Sequence, residues 1–388
     1  MTQVALLACP DYEPENLVRT ITRALELSGF APAAFAGMKV VIKPNLLSPS
    51  AQERAIATHP AFFRAVAKVV KDAGAASVTV AENPAVASFT RALTKCGYMD
   101  AVEELGIQVA DVAKTRVVFS EKARAFRRWE ISEAFCEADI IISLPKFKTH
   151  GITYVTGAVK NLFGAIPGLE KSKWHLKAPD HTDFADMLLD LNEVLAHGFS
   201  PQKPILHVMD AILAQEGEGP GPAGSPRHIG AVLAGKSPVA VDWVATQVAG
   251  LDVNKVATIT RGFDRDLFCA SEKDIEVMGD TIASRRITGF VPTKGGFRSN
   301  MMRGPATWRV TRNWLTPKPV PQADKCTLCY QCMKICASSA ISKASPGAKT
   351  PIYDHDKCIR CYCCAEICPE AAIDLKAGWL QKLLGLFG

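Results

Sequence analysis

Residues 39–45 read Lys-Val-Val-Ile-Lys-Pro-Asn, and residues 139–150 read Asp-Ile-Ile-Ile-Ser-Leu-Pro-Lys-Phe-Lys-Thr-His. Each is a short β-branched run, apolar throughout, that ends abruptly at a proline with lysines beside it. A strand without polar alternation is buried on both faces, as in a parallel sheet covered by helices. Val4 to Ala8, Ser77 to Ala81, Ile107 to Val112, Pro204 to Met209 and Ile229 to Ala234 also read as strands. Helical periods lie between the runs. Phe62, Val66, Val69, Val70 and Ala73 share one face that closes at Gly74. Phe184, Met187, Leu188, Leu191 and Leu195 share another, opening at Thr182 and closing at Gly198. Val241, Val244, Ala245 and Val248 follow Pro238 and precede Gly250. This alternation predicts an α/β domain over residues 1–290, an open and mostly parallel sheet flanked by helices.

After residue 290 the pattern dissolves. Residues 291–322 read as a basic and Pro-rich linker, residues 323–376 as a small domain with an internal repeat, and residues 377–388 as a short amphipathic tail. The chain has 388 residues, 48% hydrophobic and 22% charged, with a formal charge of +6. Residues 281–320 hold eight basic side chains and no acid; without them 37 basic residues face 39 acidic ones, a net of −2. The basicity belongs to one segment, a tether or a dock for an acidic partner, which argues against a nucleic-acid-binding body. No apolar run approaches the ~18 residues of a bilayer span, so no transmembrane segment is expected. Leu6-Leu7-Ala8-Cys9 imitates a lipoprotein cleavage site but lacks a basic stretch before it, so export is not expected.

Nine of the 13 cysteines lie between Cys326 and Cys368. Cys326-x-x-Cys329-x-x-Cys332-x-x-x-Cys336 is repeated as Cys358-x-x-Cys361-x-x-Cys364-x-x-x-Cys368-Pro369. This spacing sets three thiolates round one face of an iron–sulfur cubane and sends the fourth to the other cluster. It predicts two 4Fe-4S clusters, one held by Cys326, Cys329, Cys332 and Cys368, the other by Cys358, Cys361, Cys364 and Cys336. Zinc is the competing metal, but its Cys₄ sites are built from separated pairs. The repeat resembles the two-cluster bacterial ferredoxins, departing at Ala337 where proline is usual. Cys363 is a ninth, spare thiol. Oxygen-sensitive clusters fit a reducing, cytoplasmic setting.

Open parallel sheets bind ligands beyond the carboxyl ends of their strands. The polar residues there are Lys43 and Asn45, Glu82, Lys146, Lys148 and His150, and Asp210, followed by the Gly/Pro loop 217–224, which reads as a substrate cover. Lys43, Lys146 and Lys148 are either solvated loop lysines or the mouth of an anion site. Lys160 and Asn161 sit between Gly157 and Gly164, where backbone approaches a ligand. A desolvated Lys160 would be a nucleophile or proton carrier, and His150 an acid/base.

Lys43-Pro44-Asn45, Pro145 to His150, Thr156-Gly157-Ala158-Val159-Lys160-Asn161-Leu162-Phe163-Gly164 and Ser237 to Asp242 together resemble the family called domain of unknown function 362, over residues 1 to about 290. The resemblance implies this architecture, often with a two-cluster ferredoxin module, and no settled reaction. A second stretch, His150, Tyr154, Thr156 to Lys160 and Ile166-Pro167-Gly168, is similar to the nickel-pincer lactate racemases, which implies a cofactor-bearing Lys160 and an acid/base His150. Ala158 and Val159 depart from that pattern.

The reading that follows is an iron–sulfur oxidoreductase. A redox partner protein or low-potential donor reduces the clusters. Electrons then pass singly to a small anionic ligand, a substrate or a further organic cofactor, held by Lys43, Asn45, Glu82, Lys146, Lys148, Asn161 and Asp210, with Lys160 and His150 catalytic. The alternatives are an electron-transfer subunit with a docking scaffold and a racemase-like isomerase.

Overall fold

The computed structural model describes residues 1–47, 50–85, 87–168, 170–178, 180–293, 313–314 and 316–378. Ten strands form one sheet: β1 (Thr2–Ala8), β2 (Lys39–Pro44), β3 (Ser77–Val80), β4 (Gln108–Val109), and, after the separate hairpin β5 (Thr115–Phe119) and β6 (Arg128–Ser132), β7 (Ile140–Leu144), β8 (Lys146–His150), β9 (Tyr154–Thr156), β10 (Ile205–Gly217), β11 (Gly224–Gly235) and β12 (Ile275–Gly279). Their order is β12-β1-β11-β10-β7-β2-β3-β4, with β8 beside β10 and β9 beside β8. The pairs β12–β1, β10–β7, β7–β2, β2–β3, β3–β4 and β10–β8 are parallel.

Helices cover both faces, and the strand pleat sorts side chains between them. Val41 and Ile141 point to one core, with Leu188, Leu191 and Val241 from the helices His181–His197 and Pro238–Val248. Their neighbours Val40, Ile42, Ile140 and Ile142 point to the other, against Phe62, Phe63 and Val66 of the helix Pro60–Asp72. Each fully buried isoleucine contributes about 1.5–3 kcal/mol relative to exposure. That explains why β7 reads as an unbroken apolar run.

The sheet is mostly parallel, as expected, with its antiparallel pairs confined to β11 and to β8 with β9. β10 and β11 form a long antiparallel hairpin, and β11 also pairs antiparallel with β1. The 217–224 loop, read as a cover, is the turn of that hairpin. The lysine-rich stretch after Pro145 is a strand, because β10 outruns β7 and continues its pairing with β8.

The cysteine domain pairs β13 (Lys318–Pro321) with β16 (Ile373–Lys376), and β14 (Ile341–Ser342) with β15 (Ile352–Tyr353). Two short helices, Gln331–Lys334 and Cys363–Ile367, carry cysteines. The end of the Pro-rich stretch read as linker therefore supplies β13; Pro319 and Pro321 are tolerated in a two-stranded pair, where a missing N–H breaks no ladder. Half of the basic stretch and the tail from residue 379 lie outside the described residues.

Candidate functional site

The internal repeat is visible in the backbone. Leu328, Tyr330 and Ser339 adopt left-handed conformations, and so do Arg360, Tyr362 and Ala371 at the same positions of the second repeat. These turns wrap the chain round a hollow lined by Cys326, Cys329, Cys332 and Cys368, the first ligand set expected from the sequence. Burial raises the Cys368 thiol, and the neighbouring Cys329 and Cys326 raise it further. Burial likewise holds Cys364 far above the ordinary value, reinforced by Cys361, Cys358, Cys332 and Cys336. The hollow thus brings Cys368 of the second repeat to three thiols of the first. Ala340 N and Ala372 N each point at a sulfur, 3.3 Å from Cys336 and Cys368. Such N–H donors stabilise thiolates bound to iron. The residues present fit two cubanes. Cys363 is turned away: it packs with Ile335 and Ile367, and its thiol donates to Cys361 O at 3.8 Å.

In the α/β domain the strand ends converge on a buried array of lysines. Lys43, on β2, forms an ion pair with Glu82 just beyond β3. Lys171, from the helix Glu170–Lys177, reaches the other oxygen of Glu82 at 3.3 Å. Lys148 Nζ donates to Asn45 Oδ1 at 2.7 Å and to Ile56 O at 2.6 Å. Asn45 Nδ2 donates to Asn161 Oδ1 at 3.0 Å, and Asn161 Nδ2 to Ser143 Oγ at 2.9 Å. Lys160 projects into the same region without a hydrogen bond or ion pair among the described residues, and its charge depresses Lys43, Lys148 and Lys171.

Burial is the larger cause of each depression. It takes Lys171 down to about 8 despite Glu82, and takes Lys148, which has no carboxylate in contact, far below an ordinary lysine. Lys43 and Lys171 share Glu82, whereas Lys148 and Lys160 have no ion pair among the described residues. An uncompensated buried ammonium sheds its proton or attracts an anion.

The glycines of the Thr156–Gly164 stretch are dictated by carboxylates. A Cβ on Gly157 would lie 2.0 Å from Asp242 Oδ1, and one on Gly164 would lie 2.1 Å from Glu82 Oε1. Asp242 accepts the N–H groups of Ala158 and Val159, the latter at 3.1 Å, so it caps the segment that carries Lys160. Burial pushes its carboxyl up to about 7.

Lys146 and Asp210 form a second, adjacent group. Lys146 Nζ lies 2.7 Å from Asp210 Oδ2, Tyr12 OH donates to Asp210 Oδ1 at 2.9 Å, and the Tyr12 ring stacks on His59 at 3.7 Å. Burial lowers Lys146, partly offset by Asp210, and takes His59 down to about 4.

His150 joins the two domains. Its Nδ1 accepts from Ile152 N at 3.0 Å and Thr153 N at 3.3 Å. A neutral ring therefore carries its proton on Nε2, which lies 3.2 Å from Oε1 of Glu366. Glu366 sits between Cys364 and Cys368 on the cysteine domain. The seam is close-packed elsewhere too: a Cβ on Gly221, in the β10–β11 turn, would lie 2.6 Å from Glu366 O, and Ala85 packs against the Ile335–Cys363–Ile367 cluster.

The structure thus gathers Lys43, Asn45, Glu82, Lys148, Lys160 and Asn161 in one array, sets Lys146 and Asp210 beside it, and places His150 at the seam. Sequence reading missed Lys171, Tyr12 and Glu366. Lys171 lies in the polar run Glu-Lys-Ser-Lys, which carries no sign of burial. Glu366 reads only as a residue between two ligands.

The profile of the domain of unknown function called DUF362 matches residues 40–247, and that of a 4Fe-4S dicluster domain matches residues 318–369. A thylakoid-associated protein of Synechocystis sp. is 32% identical over 258 residues, covering 66% of this chain and 77% of that one. Among solved structures, the lactate racemase apoprotein of Thermoanaerobacterium thermosaccharolyticum is 16% identical at a TM-score of 0.34, covering 54% of this chain and 51% of its own. A Thermotoga maritima protein is 12% identical at a TM-score of 0.35, covering 57% and 55%. The chain spans about half the length of each of these two structures. No helix among the described residues is long and apolar enough to cross a membrane.

Proposed function

The chain belongs to the DUF362 family and carries a 4Fe-4S dicluster domain, and on that premise we propose that this iron–sulfur protein is an oxidoreductase that reduces a small anion bound at the lysine array. Bound clusters, recharged by an external low-potential one-electron donor, would each supply one electron; two electrons and two protons convert an acceptor A to AH2. The array supplies the rest. Lys43, Lys148, Lys160 and Lys171 attract and orient the anion, with Asn45 and Asn161 fixing its polar edge. Lys160, with no partner among the described residues, is placed to meet the ligand and give it a proton. Lys148, already inclined to part with its own, is a second donor.

The observation that carries this reading is the seam. Glu366 lies two residues from one cluster ligand and 3.2 Å from His150, which is two residues from Lys148 on the same strand. Lysines in such excess over carboxylates favour an anionic ligand over a bare docking scaffold. The reducing cytoplasm is the setting we assign, since the dicluster domain needs its eight thiols free. The test is a stopped-flow experiment with photoreduced, anaerobically purified protein and the small-molecule fraction of a cell extract. Reoxidation of the clusters should be fast and should slow at least tenfold in Lys148→Met. A rate indifferent to Lys148→Met and Lys160→Ala would leave an electron relay in place of an enzyme.

A further inference from the structure

A cavity of about 460 Å³ opens where the cysteine domain meets the strand-end loops of the α/β domain. Arg54, at the end of the short turn Gln52–Arg54, Arg91 of the helix Phe89–Lys95, and Lys334 of the helix Gln331–Lys334 line it. No carboxylate lines it among the described residues. Its floor is apolar, formed by Ile56, Ile367 and Pro369.

Three features make this a site and not an accident of docking. The turn bearing Arg54 is pinned from inside, because buried Gln215 donates its Nε2 to Arg54 O at 3.0 Å. One wall is made of residues next to cluster ligands in sequence: Lys334 stands between Cys332 and Cys336, and Ile367 and Pro369 flank Cys368. The floor reaches the lysine array, since Ile56 O accepts the Lys148 ammonium at 2.6 Å. A larger cavity of about 690 Å³ lies at the start of β2 and β3, but there Lys39, Lys114 and Arg116 are balanced by Asp111, Glu133 and Glu137, and no cluster ligand is near.

We propose that the seam cavity binds a small organic polyanion, two or more carboxylate or phosphate groups on a short carbon frame, held by Arg54, Arg91 and Lys334 against the ligand-bearing edge of the cluster domain. The volume lies within the range of small-molecule sites. Guanidinium groups match planar oxyanions, and the apolar floor accepts the carbon frame. The proposal rests on the oxidoreductase reading only in making this anion the electron acceptor or its entry point; binding stands by itself.

The test uses the anaerobically purified holoprotein with inorganic pyrophosphate, citrate, and chromium(III) hexacyanide, a redox-inert paramagnetic trianion. Calorimetry should give one saturable site for pyrophosphate and citrate. Arg54→Gln, Arg91→Gln and Lys334→Gln should each weaken it about tenfold, whereas Lys68→Gln, on the exposed face of the helix Pro60–Asp72, should not. Chromium(III) hexacyanide should speed spin relaxation of the reduced clusters, and pyrophosphate should abolish the effect. Unchanged iron content and circular dichroism certify the variants, and Arg91→Lys, which keeps the charge but not the planar fork, should weaken binding less than Arg91→Gln. No saturable binding, equal binding by wild type and the triple variant, or no effect on relaxation overturns the proposal. Binding without any acceptance of electrons upholds it and counts against the oxidoreductase reading; reoxidation by an acceptor without such binding does the reverse.

Discussion

Replacing Glu82 by Gln removes the carboxylate shared by Lys43 and Lys171 while keeping its shape. The Lys43 side chain is 1% exposed, so water cannot take the place of the lost charge. The ammonium then stays buried without a counter-ion or gives up its proton. The second route sets the ceiling: deprotonating an ordinary lysine at pH 7 costs about 4.6 kcal/mol, from a pKa of about 10.4 at about 1.36 kcal/mol per unit. Burial already lowers Lys43 with Glu82 in place, so proton loss is the accessible route. We expect Glu82→Gln to cost about 3–4.5 kcal/mol at pH 7, below that ceiling and within the range for a broken buried pair. The sign of the pH dependence follows. In the variant the unfolded chain carries a proton that the folded one lacks, so stability rises with pH, by up to about 1.4 kcal/mol per unit, more steeply than in wild type. Anaerobic urea unfolding followed by the fluorescence of Trp129, Trp174 and Trp243 measures both quantities. A loss under about 1 kcal/mol at pH 7, or a gap to wild type that fails to narrow by pH 9, would refute the buried-charge account.

Other consequences are equally direct. The double variant Cys326→Ser with Cys368→Ser should keep about four of about eight irons, because crossed ligation takes both thiols from one cluster; near-complete loss of iron would show that each repeat holds its own. Asp242→Asn should flatten the pH profile of stability. The raised carboxyl holds its proton in the folded state up to about 7, so wild-type stability falls as pH climbs from about 5 to 7, and an asparagine has no such proton to lose. A profile with the same slope in both proteins would contradict the assignment. Gly221→Val should push the hairpin tip off Glu366 and loosen the seam, read as faster proteolysis between the domains with iron content unchanged; unaltered protection would mean the contact is dispensable.

The fold was largely legible because burial on both faces leaves a plain trace: Ile140, Ile141 and Ile142 alternate between two cores and so cannot alternate in polarity. What escaped is what depends on pairing at a distance. The reversed direction of β11 follows from its hairpin with β10, which an apolar run does not announce. The dicluster domain was readable from thiol spacing, a local constraint. The lysine array was half readable: strand ends pointed to Lys43, Asn45 and Lys148, and close glycines to Lys160 and Asn161. Their partners were less so. The Glu82–Lys171 contact joins residues 89 positions apart, and the capping of Ala158 and Val159 by Asp242 spans helices, although Asp242 in isolation reads as a residue serving its own helix. Glu366 could not be told from a spacer until the two domains met.

The central claim, that cluster electrons end on a molecule held in the α/β domain, is tested most directly by a mass spectrum. Protein purified without oxygen is photoreduced, allowed to stand, and its small-molecule content released and weighed against an unreduced sample. The account predicts a bound anion heavier by two hydrogens as the visible absorption of the oxidised clusters returns. Clusters that stay reduced indefinitely beside a ligand of unchanged mass would contradict it.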